Sequence, residues 1–111
     1  MPDSTGTCEN GERPRLLNQE TLDRLIRDEA SRAIQYGRIP PTGPFAAETI
    51  VHAFIDERGR IARTIVKTSS ELDFWDRTAV RVVGRGRFQP ARCEGRPVAL
   101  WVELPITFSR G

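Results

Sequence analysis

The sequence predicts an α+β fold: two helices packed on one face of a three-stranded antiparallel sheet, in the order helix, strand, strand, helix, strand. Three observations carry this. In two stretches apolar residues recur at three- and four-residue intervals, the period of an amphipathic helix. Elsewhere they alternate, most cleanly from Arg96 to Phe108. There Val98, Leu100, Val102, Leu104, Ile106 and Phe108 share one face, and Ala99, Trp101, Glu103, Pro105 and Thr107 share the other. Between the first two strand-like runs lies Glu57-Arg58-Gly59-Arg60, a hairpin-length turn with a well-placed glycine. A helical crossover after the second strand puts the last strand on the far side of the first. The sheet order is then 2-1-3.

Taken in order, Met1 to Glu12 is polar, lacks apolar periodicity and has no signal-peptide core. It reads as a disordered leader to a domain spanning 13–111. Arg13 to Leu17 is a short extended piece feeding Asn18, a good N-cap residue. Leu22, Leu25, Ile26, Ala30, Ala33 and Ile34 then mark a helix over about 19–36. Gly37 stops it, and Ile39-Pro40-Pro41-Thr42-Gly43-Pro44 bars a restart. Strands are expected over about 47–56 and 60–68. The first leaves its buried face open, with Ile50 and Phe54 on one side and Val51, Ala53 and Ile55 on the other.

Ser69-Ser70 offers a hydroxyl cap to a second helix over about 70–84, with Asp73 and Asp76 where the helix dipole favours negative charge. Phe74, Trp75, Ala79, Val82 and Val83 form its apolar face. Gly84, Gly86 and Pro90 end it. The last strand, over about 97–108, belongs at the sheet's edge, because Pro105 cannot donate to a ladder. The expected core is Leu22, Leu25, Ile26, Val51, Ile55, Val82, Leu100, Val102 and Leu104.

A chain of 111 residues makes one domain with a single modest core. Its formal charge of +2 argues against a general nucleic-acid binder, and Lys67 is its only lysine among many arginines. No run of about eighteen apolar residues marks a membrane-spanning helix. Cys8 and Cys93 are either unpaired thiols or, in an oxidising compartment, a disulfide tying the N-terminal arm to the loop before the last strand. Two cysteines and the lone His52, without CxxC spacing, do not make a zinc site.

No nucleophile–base pair is apparent, and Asp23, Asp28, Asp73 and Asp76 read as helix-dipole or salt-bridge partners. Gly84-Arg85-Gly86-Arg87 has no strand before it and no helix after it, so it is not a phosphate loop. Neither enzymatic activity nor a cofactor is expected. Arg77, Arg81 and Arg85 form one stripe on the second helix. The stripe is either a solvated face or a patch for an anionic partner such as peptidoglycan or phospholipid headgroups. Nucleic acid is least favoured, since no aromatics interleave with the arginines. Trp101 is either covered by a loop or the N-terminal arm, or is an exposed contact for a partner.

Several segments together resemble a known family. They are Phe54 to Arg60, Ser69-Ser70, Ala79, Arg87-Phe88-Gln89-Pro90-Ala91, Gly95-Arg96-Pro97-Val98 and Trp101 to Phe108. In order and spacing they resemble the C-terminal domain of TonB-family energy transducers. The lead-in Pro14-Arg15-Leu16-Leu17-Asn18 extends the resemblance over about 13–108. Family members usually carry a Tyr-Pro pair in the first helical region, where this chain has Glu29-Ala30, with Tyr36 two turns later.

The resemblance implies mechanical work in the periplasm. In that family an N-terminal transmembrane helix engages a proton-driven inner-membrane motor, and a proline-rich stretch crosses the periplasm. The C-terminal domain grips the N-terminal peptide of an outer-membrane transporter, the Ton box, by strand addition, which couples proton motive force to import. Here the matching strand makes Val98, Ala99, Leu100, Trp101, Val102, Glu103 and Leu104 the candidate peptide-binding residues, with Trp101 and Glu103 reading alternate side chains. The motor would be reached only through an N-terminal part absent from this sequence. The expectation is an excised domain, inner-membrane anchored in full length, or a stand-alone relative. Strand-exchanged homodimers belong to the same family repertoire. The alternative is a structural or regulatory domain of the same fold, without force transduction, that binds a different peptide or an anionic cell-envelope partner.

Overall fold

The computed structural model describes Cys8 and residues 10–111. A short strand β1 (Arg15–Leu16) leads into helix α1 (Gln19–Gln35), then strands β2 (Phe45–Ile55) and β3 (Ile61–Thr68) and helix α2 (Asp73–Gly84). After α2 come β4 (Phe88–Gln89), β5 (Ala91–Cys93), β6 (Arg96–Val98) and the long β7 (Leu100–Arg110). Two helices and antiparallel sheets make the α+β class. The main sheet has the order β3-β2-β7, and two small sheets pair β1 with β4 and β5 with β6.

β2 is the centre of the main sheet. Its pairing with β7 runs unbroken from Phe45↔Arg110 to Ile55↔Leu100, while its pairing with β3 shifts register twice. Thr49, Val51, Ala53 and Ile55 turn inward and are fully buried, which settles the face the sequence leaves open. Ile50, His52 and Phe54 take the outer face and are half-buried. Both helices cover the inner face, α2 across β2 and β3 and α1 beside it against β7. One core cluster joins Leu22, Ala30 and Ala33 of α1 to Trp75, Val82 and Val83 of α2 and to Val51, Ala53 and Ile106 of the sheet.

Of the expected core, Leu22, Val51, Ile55, Val82 and Leu100 are buried. Leu25, Ile26, Val102 and Leu104 are only partly buried. Ile26 and Leu104 sit where α1 and β7 diverge around a groove, and Leu25 lies on a second groove between the helices.

Three local expectations change. The helix caps are not side-chain caps: neither Asn18 nor the region before α2 places a side-chain oxygen on a helical N–H. Asn18 instead reaches across the fold, donating from Nδ2 to the Arg85 carbonyl and accepting the Arg87 N–H on Oδ1. The Ser69 and Ser70 hydroxyls are taken by Asp76, so α2 starts at Asp73 rather than 70.

The last strand starts at Leu100 rather than 97, because a hairpin intervenes. Glu94 and Gly95 adopt left-handed conformations (φ 52° and 80°), and the turn pairs Ala91 with Val98. Thus Val98 belongs to β6, and Ala99 belongs to no strand. Of the leader expected over 1–12, residues 1–7 and 9 lie outside the described residues. The rest is held: Cys8 forms a disulfide with Cys93, and Glu12 bridges Arg92.

Candidate functional site

β7 is the longer of the two edge strands of the main sheet, and α1 packs against it. Among the described residues no strand pairs with its outer side. Along β7 side chains alternate strictly: Leu100, Ile106 and the partly covered Val102, Leu104 and Phe108 point to the core, while Glu103, Pro105, Thr107 and Ser109 are exposed. The inner side is pinned from below, where the buried Trp75 donates from Nε1 to the Ile106 carbonyl at 3.1 Å. The far end is pinned by Arg110, whose guanidinium donates to the carbonyls of Gly43 (2.8 Å) and Pro40 (2.6 Å). The strand is therefore rigidly held from one side and from beneath.

Beside that edge, the first half of α1 stands off and leaves a groove of about 360 Å³. Its walls include Leu22, Ile26 and Phe88, with Gln19 and Asp23 on the helix side and Leu104 to Thr107 on the strand side. Of these groove residues only Leu104 belongs to the sequence's candidate set. A helix residue's proximity to a strand edge depends on the tilt between them, which no local spacing records.

On the outer face, Trp101 is half-buried. It packs on the aromatic rings of β2, with centroids 4.8 Å from His52 and 5.3 Å from Phe54. Glu103 is bonded by Lys67 from β3, across β2. That hydrogen bond and the Lys67 charge, aided by His52, hold the Glu103 carboxyl below the usual carboxylate range. Trp101 and Glu103 are thus neighbours of the edge that are already engaged with their own sheet.

The arginine stripe is partly neutralised. Arg81 bonds Glu29 of α1 at 3.0 Å, and Arg77 pairs with Asp73 at 3.3 Å. Glu29 also faces Arg32 at 3.6 Å. It clamps α1 to α2. Its neighbour Ala30 is buried, and Tyr36 is 70% exposed.

The arrangement is a long strand with one free side, braced by the core, with an apolar groove beside it. The family model described as Gram-negative bacterial TonB protein C-terminal matches residues 46–109, which contain β3, α2, both small hairpin strands and all but one terminal residue each of β2 and β7. The chain belongs to this family. TonB C-terminal domains are periplasmic protein-interaction domains of Gram-negative bacteria, and their partners are outer-membrane transporters. Among curated proteins, none matches the chain. A disulfide between Cys8 and Cys93 fits an oxidising compartment such as the periplasm. Among the described residues no helix is long and apolar enough to cross a membrane. The family match begins at residue 46, so α1 and its wall of the groove lie outside the matched stretch, while Phe88 and the strand side lie within it.

Proposed function

We propose that this domain docks an extended peptide of an outer-membrane transporter on the free edge of β7, as the gripping module of a TonB-type transducer driven by proton motive force. The observation that carries the reading is the unpaired outer side of an eleven-residue strand with an apolar groove beside it, the longer of the two edges of the sheet. Unpaired N–H and C=O groups along such an edge are a template for another strand. The β2–β7 ladder also runs unbroken past Ile50↔Pro105. That is what proline permits when its nitrogen faces away from the partner strand. Given the two-residue repeat of an antiparallel ladder, Trp101, Glu103 and Thr107 then direct their N–H groups to the same free side. Leu100, Val102 and Leu104 serve the grip by holding the strand to the core. Val98 and Ala99 precede it.

The test is a titration of the isotope-labelled domain with synthetic peptides copied from transporter N-termini, followed by backbone amide shifts. Shifts along Leu100 to Thr107 are expected. Glu103→Pro removes one outward donor and should weaken binding at least tenfold, whereas Glu103→Ala, which keeps that donor, should bind within a factor of about three. Shifts confined to Arg77, Arg81 and Arg85 would replace this reading with the anionic-partner one.

A further inference from the structure

We infer that the groove between α1 and β7 is a side-chain pocket that selects the added strand. It takes one apolar residue, with a lysine or arginine two positions away. The inference rests on the strand-addition reading and adds to it a sequence preference. Three observations carry it.

The first is position. The groove is lined both by inward residues of β7, Leu104 and Ile106, and by outward ones, Pro105 and Thr107. A cavity that touches both faces of a strand lies over its edge. A peptide pairing there would send every second side chain toward α1. The second is chemistry. Leu22, Ile26 and Phe88 give the groove an apolar wall, and its volume of about 360 Å³ lies within the range of sites that enclose small ligands. An apolar guest against that wall removes apolar surface from water.

The third is charge. Asp23 is the one charged residue among those lining the groove. Its Oδ1 accepts from Gln19 Nε2 at 2.9 Å, and among the described residues no cation pairs with it. Asp23 stands one helical turn from Ile26. One turn rises about 5 Å, close to the spacing of about 7 Å between same-face residues of a strand. A guest seated against Ile26 therefore places its same-face neighbour within reach of Asp23, where a cation is favoured and a carboxylate repelled.

The experiment uses the whole chain and five synthetic octapeptides on one threonine–valine host. Their central triplets are Lys-Thr-Leu, Leu-Thr-Lys, Glu-Thr-Leu, Leu-Thr-Glu and Lys-Thr-Ser. Backbone amide shifts report where each binds, and their concentration dependence gives Kd. One of the two Lys/Leu peptides, whichever matches the strand direction, should bind about fivefold tighter than its Glu counterpart. Replacing its leucine by serine should cost at least tenfold. Asp23→Lys should invert the Lys/Glu preference, and Asp23→Asn should abolish it. Thermal melts of both variants establish that they remain folded, and if Asp23→Lys does not fold, loss of the preference in Asp23→Asn decides. If all five peptides shift the β7 amides with equal affinity in every variant, the pocket is wrong and strand addition stands. If no peptide moves the β7 amides, strand addition fails and the pocket falls with it.

Discussion

Asp76 joins three segments through one carboxylate. Its Oδ1 accepts from Thr49 Oγ1 of β2 (2.6 Å), Ser70 Oγ (2.8 Å) and the Ser70 N–H (2.9 Å), and Ser69 donates to the other oxygen. Thr49 is fully buried, so the bond satisfies a hydroxyl that has no water. Burial raises the Asp76 pKa, but the bonds from Ser69, Thr49 and Ser70 outweigh it and hold the group down at about 2, against 3.8 for an ordinary aspartate. A depressed folded pKa adds stability above the unfolded value and loses it as pH falls through the folded one. Because Asp76 is partly exposed, that share is about 1–2 kcal/mol, lost between about pH 5 and pH 2. Asp76→Asn should flatten the acid limb of urea-denaturation stability measured across this window. A limb as steep as the parent's would show that another carboxylate governs it. Gly59 is equally constrained. It sits at φ 81° with its carbonyl accepting the Phe88 N–H, and an added Cβ would lie 1.8 Å from the Phe88 carbonyl oxygen. Gly59→Ala should cost about 3 kcal/mol in chemical denaturation, combining left-handed strain with a backbone clash.

At the scale of elements, what repeats locally is legible in the sequence and what depends on a distant partner is not. The alternation in β7, the period of α1 and the glycine turn between β2 and β3 are written in neighbouring residues, and they lead to the α+β class. The hairpin that ends at Val98 is hidden because its turn places a glutamate, Glu94, in a left-handed conformation. The hydroxyls of Ser69 and Ser70 look like a helix cap until Asp76 takes them. The open face of β2 has a similar cause: its outer residues His52 and Phe54 are themselves half-covered by Trp101, so both faces are apolar. Of the candidate site, the strand was readable but the groove beside it was not, since Asp23 and Ile26 meet β7 only through the packing of α1. The core–edge distinction within β7 is testable by truncation. Leu100 is 7% exposed and Val102 only partly buried. Leu100→Ala should therefore cost about 2–4 kcal/mol, and Val102→Ala clearly less, in urea denaturation. Equal losses would mean that the core reaches further along the strand than this packing allows.

Across the whole molecule, the small sheets act as a seam around the core. β1 pairs with β4, Asn18 bonds the end of α2, Glu12 bridges Arg92, and the Cys8–Cys93 disulfide closes the same side. The bond spans 85 residues of sequence, so the loop it closes contains α1, β2, β3 and α2 entire. In the chain-entropy account, closing a loop of that length removes about 4–5 kcal/mol of unfolded-state entropy. For a domain of this size that is a large share of the stability of about 5–15 kcal/mol that folded domains have. The folded side contributes less, since the neighbouring Glu12–Arg92 bridge holds the arm with two backbone bonds of 2.8 and 3.0 Å. The paired substitution Cys8→Ser with Cys93→Ser should lower the urea-unfolding free energy by about 2–4 kcal/mol and leave the amide spectrum of β2 and β7 unchanged. Dithiothreitol should lower the parent by the same amount and leave the double variant untouched. A double variant as stable as the oxidised parent would place the stabilisation in the backbone seam instead. A disturbed β7 spectrum would instead make the disulfide a brace for the binding strand through the β5–β6 hairpin, which joins Cys93 to Leu100.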